Sequence, residues 1–159
     1  MASPYPAPPP QPPQPSAGRS FASWGSRVAA TLIDAVPTVV VFFLAVMLFG
    51  TSDTGDNSFS FQLSGAGAAI YYVFAIAFFV YNVLYLQGTR GQTIGKKILG
   101  IAVYKESSSE PLGAGMTFVR QLAHILDAIP CYLGFLWPLW DKENRTFADM
   151  LLSSRAYKV

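Results

Sequence analysis

Apolar residues gather into three long blocks, at residues 28–50, 66–86 and 118–140, separated by polar connections. The first block holds one ionisable residue, Asp34, and the second holds none, with Asn82 its only strongly polar side chain. At a rise of 1.5 Å per residue, about 20 apolar residues match the hydrocarbon thickness of a bilayer. Both blocks therefore predict transmembrane helices. The third block carries Arg120, His124, Asp127, Pro130, Gly134 and Pro138. It is long enough for a span, but Pro130 removes a helix hydrogen bond near its centre. It reads either as one kinked helix or as two short helical pieces entering and leaving by the same face.

Two β-favouring stretches, residues 100–105 and 155–159, flank this block. Isolated short strands need a partner, and each is the obvious partner for the other. Pairing requires both on one side of the membrane, which favours a broken or re-entrant third segment. The predicted fold class is an all-α membrane bundle of two full transmembrane helices plus that third segment, with short cytoplasmic β-pairing.

The distribution of Lys and Arg sets an expected orientation. Arg19 and Arg27 precede or open the first span, and Arg90, Lys96, Lys97 and Lys105 follow the second. Lys142, Arg145, Arg155 and Lys158 lie in the final tail, while residues 51–65 carry only Asp53 and Asp56. Both termini are thus expected in the cytoplasm and the acidic connection outside. Trp24, Tyr85, Trp137 and Trp140 sit at block ends, as an interfacial aromatic belt requires.

Composition agrees. Charged residues make up 13% of the 159 positions and apolar residues 52%, against roughly 25% charged in an ordinary soluble domain. That count argues against a soluble monomeric enzyme. A net charge of +2 gives no basic face for nucleic acid. One cysteine and one histidine leave no metal cluster, and nothing calls for a cofactor. Residues 91–97, Gly-Gln-Thr-Ile-Gly-Lys-Lys, fail as a phosphate loop because the glycines stand too close and Lys97 replaces Ser or Thr. No Gly-x-Ser-x-Gly is present. Residues 1–20 hold eight of the twelve prolines and predict a solvated, disordered cytoplasmic tail ahead of a membrane domain at 21–159.

Candidate chemistry lies in two similar stretches, residues 27–37 and 120–130. Arg, Ala, Asp, Ala and Pro recur in register, as Arg27, Ala30, Asp34, Ala35 and Pro37, then Arg120, Ala123, Asp127, Ala128 and Pro130. In each, Arg and Asp are seven residues apart and share a helix face. The proline three residues past each Asp predicts a weakened helix there. Asp34 lies about 10 Å below Arg27 at 1.5 Å per residue, too deep for bulk water. An ionised carboxylate at such depth costs about 2.5–3.5 kcal/mol, so it must face protein, hold a cation or be protonated. Asp127 faces the same demand, and Arg120 or His124, the latter three residues before it on the same face, could answer it. Mutual neutralisation among Arg27, Asp34, Arg120 and Asp127 competes with ion or proton handling. Asn82 is suited to bridging helices by hydrogen bonding. Beyond the third block, Asp141, Arg145 and Asp149 are spaced by four and predict a charge stripe on a juxtamembrane helix, with Arg145 between both acids.

These residues resemble the RDD family of bacterial membrane proteins, over about residues 20–159. Arg27 and Asp34 match the arginine and aspartate of its first helix. Residues 91–96 with 99–103 match its cytoplasmic connection, and Asp141 with residues 145–149 its closing segment. There Asp149 stands as the second family aspartate, with Asp127 as its rival. The proline-rich extension is similar to that of actinobacterial members. The resemblance implies a multi-pass plasma-membrane protein of undefined activity. Its expected surroundings are lipid and a homo-oligomer or larger membrane complex. An accessory or scaffold role is expected first, and oligomeric cation or proton transport second.

Overall fold

The computed structural model describes residues 19–55 and 58–159, so the proline-rich segment assigned above to a tail lies outside the described residues except at 19 and 20. Helix α1, Trp24–Phe49, is 26 residues long. Ser23 caps it, its hydroxyl accepting from the Ser26 N–H at 3.3 Å, which satisfies one of the helix's orphan donors. α1 runs unbroken through Pro37, against the weakening expected there. A hairpin of β1 (Gly50–Gly55) and β2 (Ser58–Leu63) follows, with Gly50 opposite Leu63. The Ser-Phe-Ser-Phe alternation at 58–61 is the period-2 signal that predicts such a strand.

Helix α2, Gly65–Phe79, passes into a π-helix, Val80–Leu86, and then α3, Gln87–Arg90. Together Gly65–Arg90 form one 26-residue apolar helix. It meets α1 closely at the hairpin end, where a Cβ on Gly67 would lie 2.6 Å from Phe49 Cβ. Phe42 and Tyr71 pack edge to face between the two helices, with ring centroids 5.3 Å apart. At its other end the helix stops at Gly91, whose φ of 74° belongs to the left-handed region that closes helices.

The short helix α4 (Ile94–Ile98) and β3 (Ile101–Lys105) precede α5, Ala114–Ala128. α5 ends before Pro130, and Cys131 and Tyr132 take positive φ of 53° and 61°. The chain then turns through 104° into α6 (Leu133–Leu136) and a 3-10 turn at Trp137–Leu139. Helix α7 (Phe147–Leu151) and β4 (Ser154–Lys158) complete the chain.

β3 and β4 pair antiparallel, from Ile101 opposite Lys158 to Lys105 opposite Ser154. Residues before α1 join them: the Ala22 N–H donates to the Ala156 carbonyl, and the Lys158 N–H to the Ser20 carbonyl, both at 2.9 Å. β3 precedes the third apolar block and β4 follows it, so their pairing holds both on one side of the membrane. The block is thus broken by a 104° bend and flanked at both ends by the paired strands, which the segment before α1 also joins. Ala22, Ala30, Ile101, Val103, Leu112 and Ala156 form the buried apolar core there. Along the helices the pattern inverts, with Met47 81% and Val73 69% exposed. Apolar surface on that scale belongs against lipid or another membrane protein.

Candidate functional site

Asp149 sits fully buried where the two long-helix arginines converge. Arg27 Nη1 donates to its Oδ2 at 2.5 Å, while Arg120 Nε and Nη2 donate to Oδ1 at 3.1 and 2.6 Å. The Ser154 hydroxyl adds a bond to Oδ1 at 3.2 Å. Asp149 is also the third residue of α7 and closes a capping box with Thr146, whose hydroxyl accepts from the Asp149 N–H at 3.1 Å. Burial pushes its carboxyl pKa up, but the charges and hydrogen bonds of Arg120 and Arg27 overcome this and hold it well below the usual carboxylate range.

Lys96 of α4 faces the same cluster and donates to the side-chain oxygen of Gln87, itself 1% exposed. Burial of the ammonium, reinforced by Arg120 and Arg27 against the opposing pull of Asp34 and Asp149, pushes its pKa down to about 7.

The two intramembrane acids take different partners from those expected. Asp34 and Arg27 share a helix but not a bond. Asp34 Oδ1 accepts from the Asn82 amide at 2.9 Å and the Gly95 N–H at 2.8 Å, and Oδ2 from the Thr93 hydroxyl at 2.5 Å. Its carboxylate thus grips the first turn of α4, aided by Asn82, whose oxygen accepts from the Ile94 N–H at 2.8 Å. Asn82 bridges helices as its chemistry suggested. Gly95 permits the approach, since a Cβ there would strike the Ala30 carbonyl. Asp127, fully buried, does the same for α7: Oδ1 accepts from the Phe147 and Ala148 N–H groups at 2.8 and 3.3 Å. Its other oxygen lies 2.6 Å from His124 Nδ1, one of the two partners expected for it, while the other, Arg120, goes to Asp149. Mutual neutralisation among the four charges is corrected accordingly. The arginines pair with Asp149, and each intramembrane Asp holds a helix N-terminus.

The predicted stripe is corrected too. Only Phe147–Leu151 is helical, and Asn144 has a φ of 53° that breaks any helix through Arg145. Arg145 binds Asp141 across a turn, Nε and Nη2 each at 2.9 Å, and pairs with Glu143 at 2.9 Å. The hydrogen bond from Arg145 leads in holding the Asp141 pKa down at about 2. Asp149 takes no part in it.

The repeat extends further than the long helices. Residues 93–105 and 146–158 follow the same path at an offset of 53 (146 − 93). Thr93 and Thr146 both cap short helices, and Leu99 and Leu152 close them with φ of −95° and −103°. Gly100 and Ser153 then take positive φ of 61° and 46° before the strands. Val103 pairs with Ala156, its own counterpart at that offset, and the register is symmetric about them. A local two-fold axis passes through this pair and relates Lys96 to Asp149.

The sequence pattern of the RDD family matches residues 21–153. The chain belongs to the RDD family. The proline-rich antigen homolog of Mycobacterium tuberculosis is 37% identical over 150 residues, covering 85% of this chain and 62% of that protein. The proline-rich antigen of Mycobacterium leprae is 34% identical over 149 residues, covering 85% of this chain and 60% of that protein. The chain spans about three-fifths of these curated relatives. No solved structure matches it.

Within this RDD domain, Thr93, Gly95, Lys96, Gln87, Thr146 and Ser154 are site residues that the sequence reading missed. The signal for several was present: Thr, Leu and Tyr-Lys recur at 93, 99 and 104–105 and again at 146, 152 and 157–158. Aligning those segments would have pointed to a second repeated unit beside the one at 27–37 and 120–130.

Proposed function

We propose that this RDD protein is an accessory or scaffold component of the bacterial plasma membrane. It packs its apolar flanks against larger membrane partners and keeps both ends in the cytoplasm. The observation that carries this reading is that its intramembrane acids and Asp149 are occupied. Asp34, Asp127 and Asp149 each accept three or more hydrogen bonds from the protein itself, and those bonds fix helix ends and strands. A carboxylate so engaged serves architecture, since a cation would have to displace its partners. The exposed apolar residues along α1, α2 and α5 supply surface for partners as well as lipid. Arg19, Arg27, Arg90, Lys96, Lys97 and Lys105 gather near the paired-strand end, which supports a cytoplasmic assignment for that end.

Purification of the full chain in mild detergent tests the proposal, and the expected result is a stoichiometric membrane companion. Reconstituted alone in liposomes, the protein is expected to give no cation flux driven by a pH gradient. Flux that disappears in Asp34→Asn would replace this reading with an oligomeric cation/proton exchanger.

A further inference from the structure

Outside the buried cluster, a groove of about 520 Å³ opens at the charged end of the Gly65–Arg90 helix. Its walls are apolar, from Tyr81, Leu86, Ile94 and Ile98, and its charged residues are Arg90 and Lys97. No acid lines it. The other polar lining groups are committed elsewhere, Thr93 to Asp34 and Gln92 to the Ile101 carbonyl. Arg90 and Lys97 are both exposed, and neither forms an ion pair among the described residues.

Three features give this groove a direction. First, it joins hydrocarbon to charge. Tyr81 and Ile98 are more than half exposed on the apolar side, and Arg90 is the last residue of the membrane helix. Second, Tyr81 and Leu86 lie in the π-helix, a conformation frequent at functional sites. Third, the two-fold axis supplies an internal control. At the offset of 53 residues, Met150 (150 − 97) stands for Lys97. The repeated short helix therefore forms without a basic residue at the position of Lys97.

We propose that this groove holds an anionic phospholipid. The headgroup phosphate lies between Arg90 and Lys97, where charge-assisted hydrogen bonds are strongest, and the acyl chains run along Tyr81, Ile94 and Ile98. Basic residues lining a pocket beside a membrane helix are a recognition element for such headgroups.

Native mass spectrometry of the full chain, released from nanodiscs of equimolar phosphatidylglycerol and phosphatidylcholine, tests the assignment. The wild-type protein is expected to retain phosphatidylglycerol preferentially. The double variant R90Q/K97Q is expected to lose that preference by about thirtyfold, the worth of two basic residues at an anionic surface. K142Q/K158Q, which removes two exposed lysines outside the groove, is expected to keep it. Should the double variant fail to fold, R90Q and K97Q alone carry the test, each with a loss of about fivefold. Unchanged preference in the groove variants overturns the proposal, as does an equal loss in K142Q/K158Q, which would mean diffuse surface charge. Displacement of the lipid by soluble glycerol phosphate would assign the site to a free phosphate and overturn it likewise.

Discussion

The two halves of this domain, α1 with α4 and β3, and α5 with α7 and β4, solve one problem twice with opposite charges. In each, an acid on a long helix grips the N-terminus of a short Thr-capped helix, and a left-handed turn then releases a strand to the shared sheet. Yet the third residue of the short helix is Lys96 in one half and Asp149 in the other. Because Asp149 is the acid, both arginines cross to it and the second half becomes the electrostatic anchor. The first half is left with neutral donors on Asp34 and a lysine of depressed pKa. Backbone symmetry is thus kept while charge symmetry is broken.

The largest effect should come from breaking the anchor. Asp149→Asn leaves Arg27 and Arg120 buried against a neutral amide, and removing one partner of a buried ionic group costs about 3–5 kcal/mol. Thermal unfolding in detergent should show this as the steepest loss of any single substitution in the cluster. The sharper version is a swap. If Lys96 and Asp149 are related by the two-fold axis, Lys96→Asp combined with Asp149→Lys should recover part of what Asp149→Lys alone loses. A double variant no more stable than Asp149→Lys would mean that the axis relates backbones and nothing more.

That relation was only half legible in the sequence. The long-helix repeat could be read because Arg, Asp and Pro are conspicuous in apolar surroundings, and β-pairing followed from the requirement that two lone strands find each other. Their partners could not be read so. Asp34 lies seven residues from Arg27 on one face, which suggests a pair, but Arg27 opens α1 within reach of α7 while Asp34 lies beside α4. Spacing along a helix gives the face and leaves open which element packs there. The two prolines teach the same point. Pro37 and Pro130 occupy equal places in the repeat, yet α1 continues where α5 stops, and only the second is followed by left-handed residues. In the stripe at 141–149 only the Asp141–Arg145 pair forms, because Asn144 and the Asp141 turn interrupt the helix that a spacing of four implies.

A medium effect separates the two capping acids. Asp127 is fully buried, close to His124 and bonded to two N–H groups, so Asp127→Asn is expected to cost about 1.5–3 kcal/mol, the worth of hydrogen bonds to a charged group. Asp34 is half-buried with uncharged donors. Asparagine can keep most of those bonds, and Asp34→Asn should cost only about 1 kcal/mol. Equal losses in unfolding experiments would mean that the halves are balanced after all.

The smallest effect is a slope in pH that belongs to one half only. The folded pKa of Lys96 lies at about 7, below its ordinary value of 10.5, so between these values the unfolded chain binds more protons at this residue. Stability must therefore rise with pH across that window and be flat in this contribution below pH 7. One proton sets the slope, at most about 1.4 kcal/mol per pH unit. Asp149 stays ionised throughout and adds nothing there. Unfolding temperatures of the wild-type protein and Lys96→Met, compared from pH 7 to pH 10, isolate the contribution from every other titrating group. The wild-type curve should climb relative to the variant. Parallel curves would place the Lys96 ammonium in water, and the charge asymmetry between the halves would then rest on Asp149 alone.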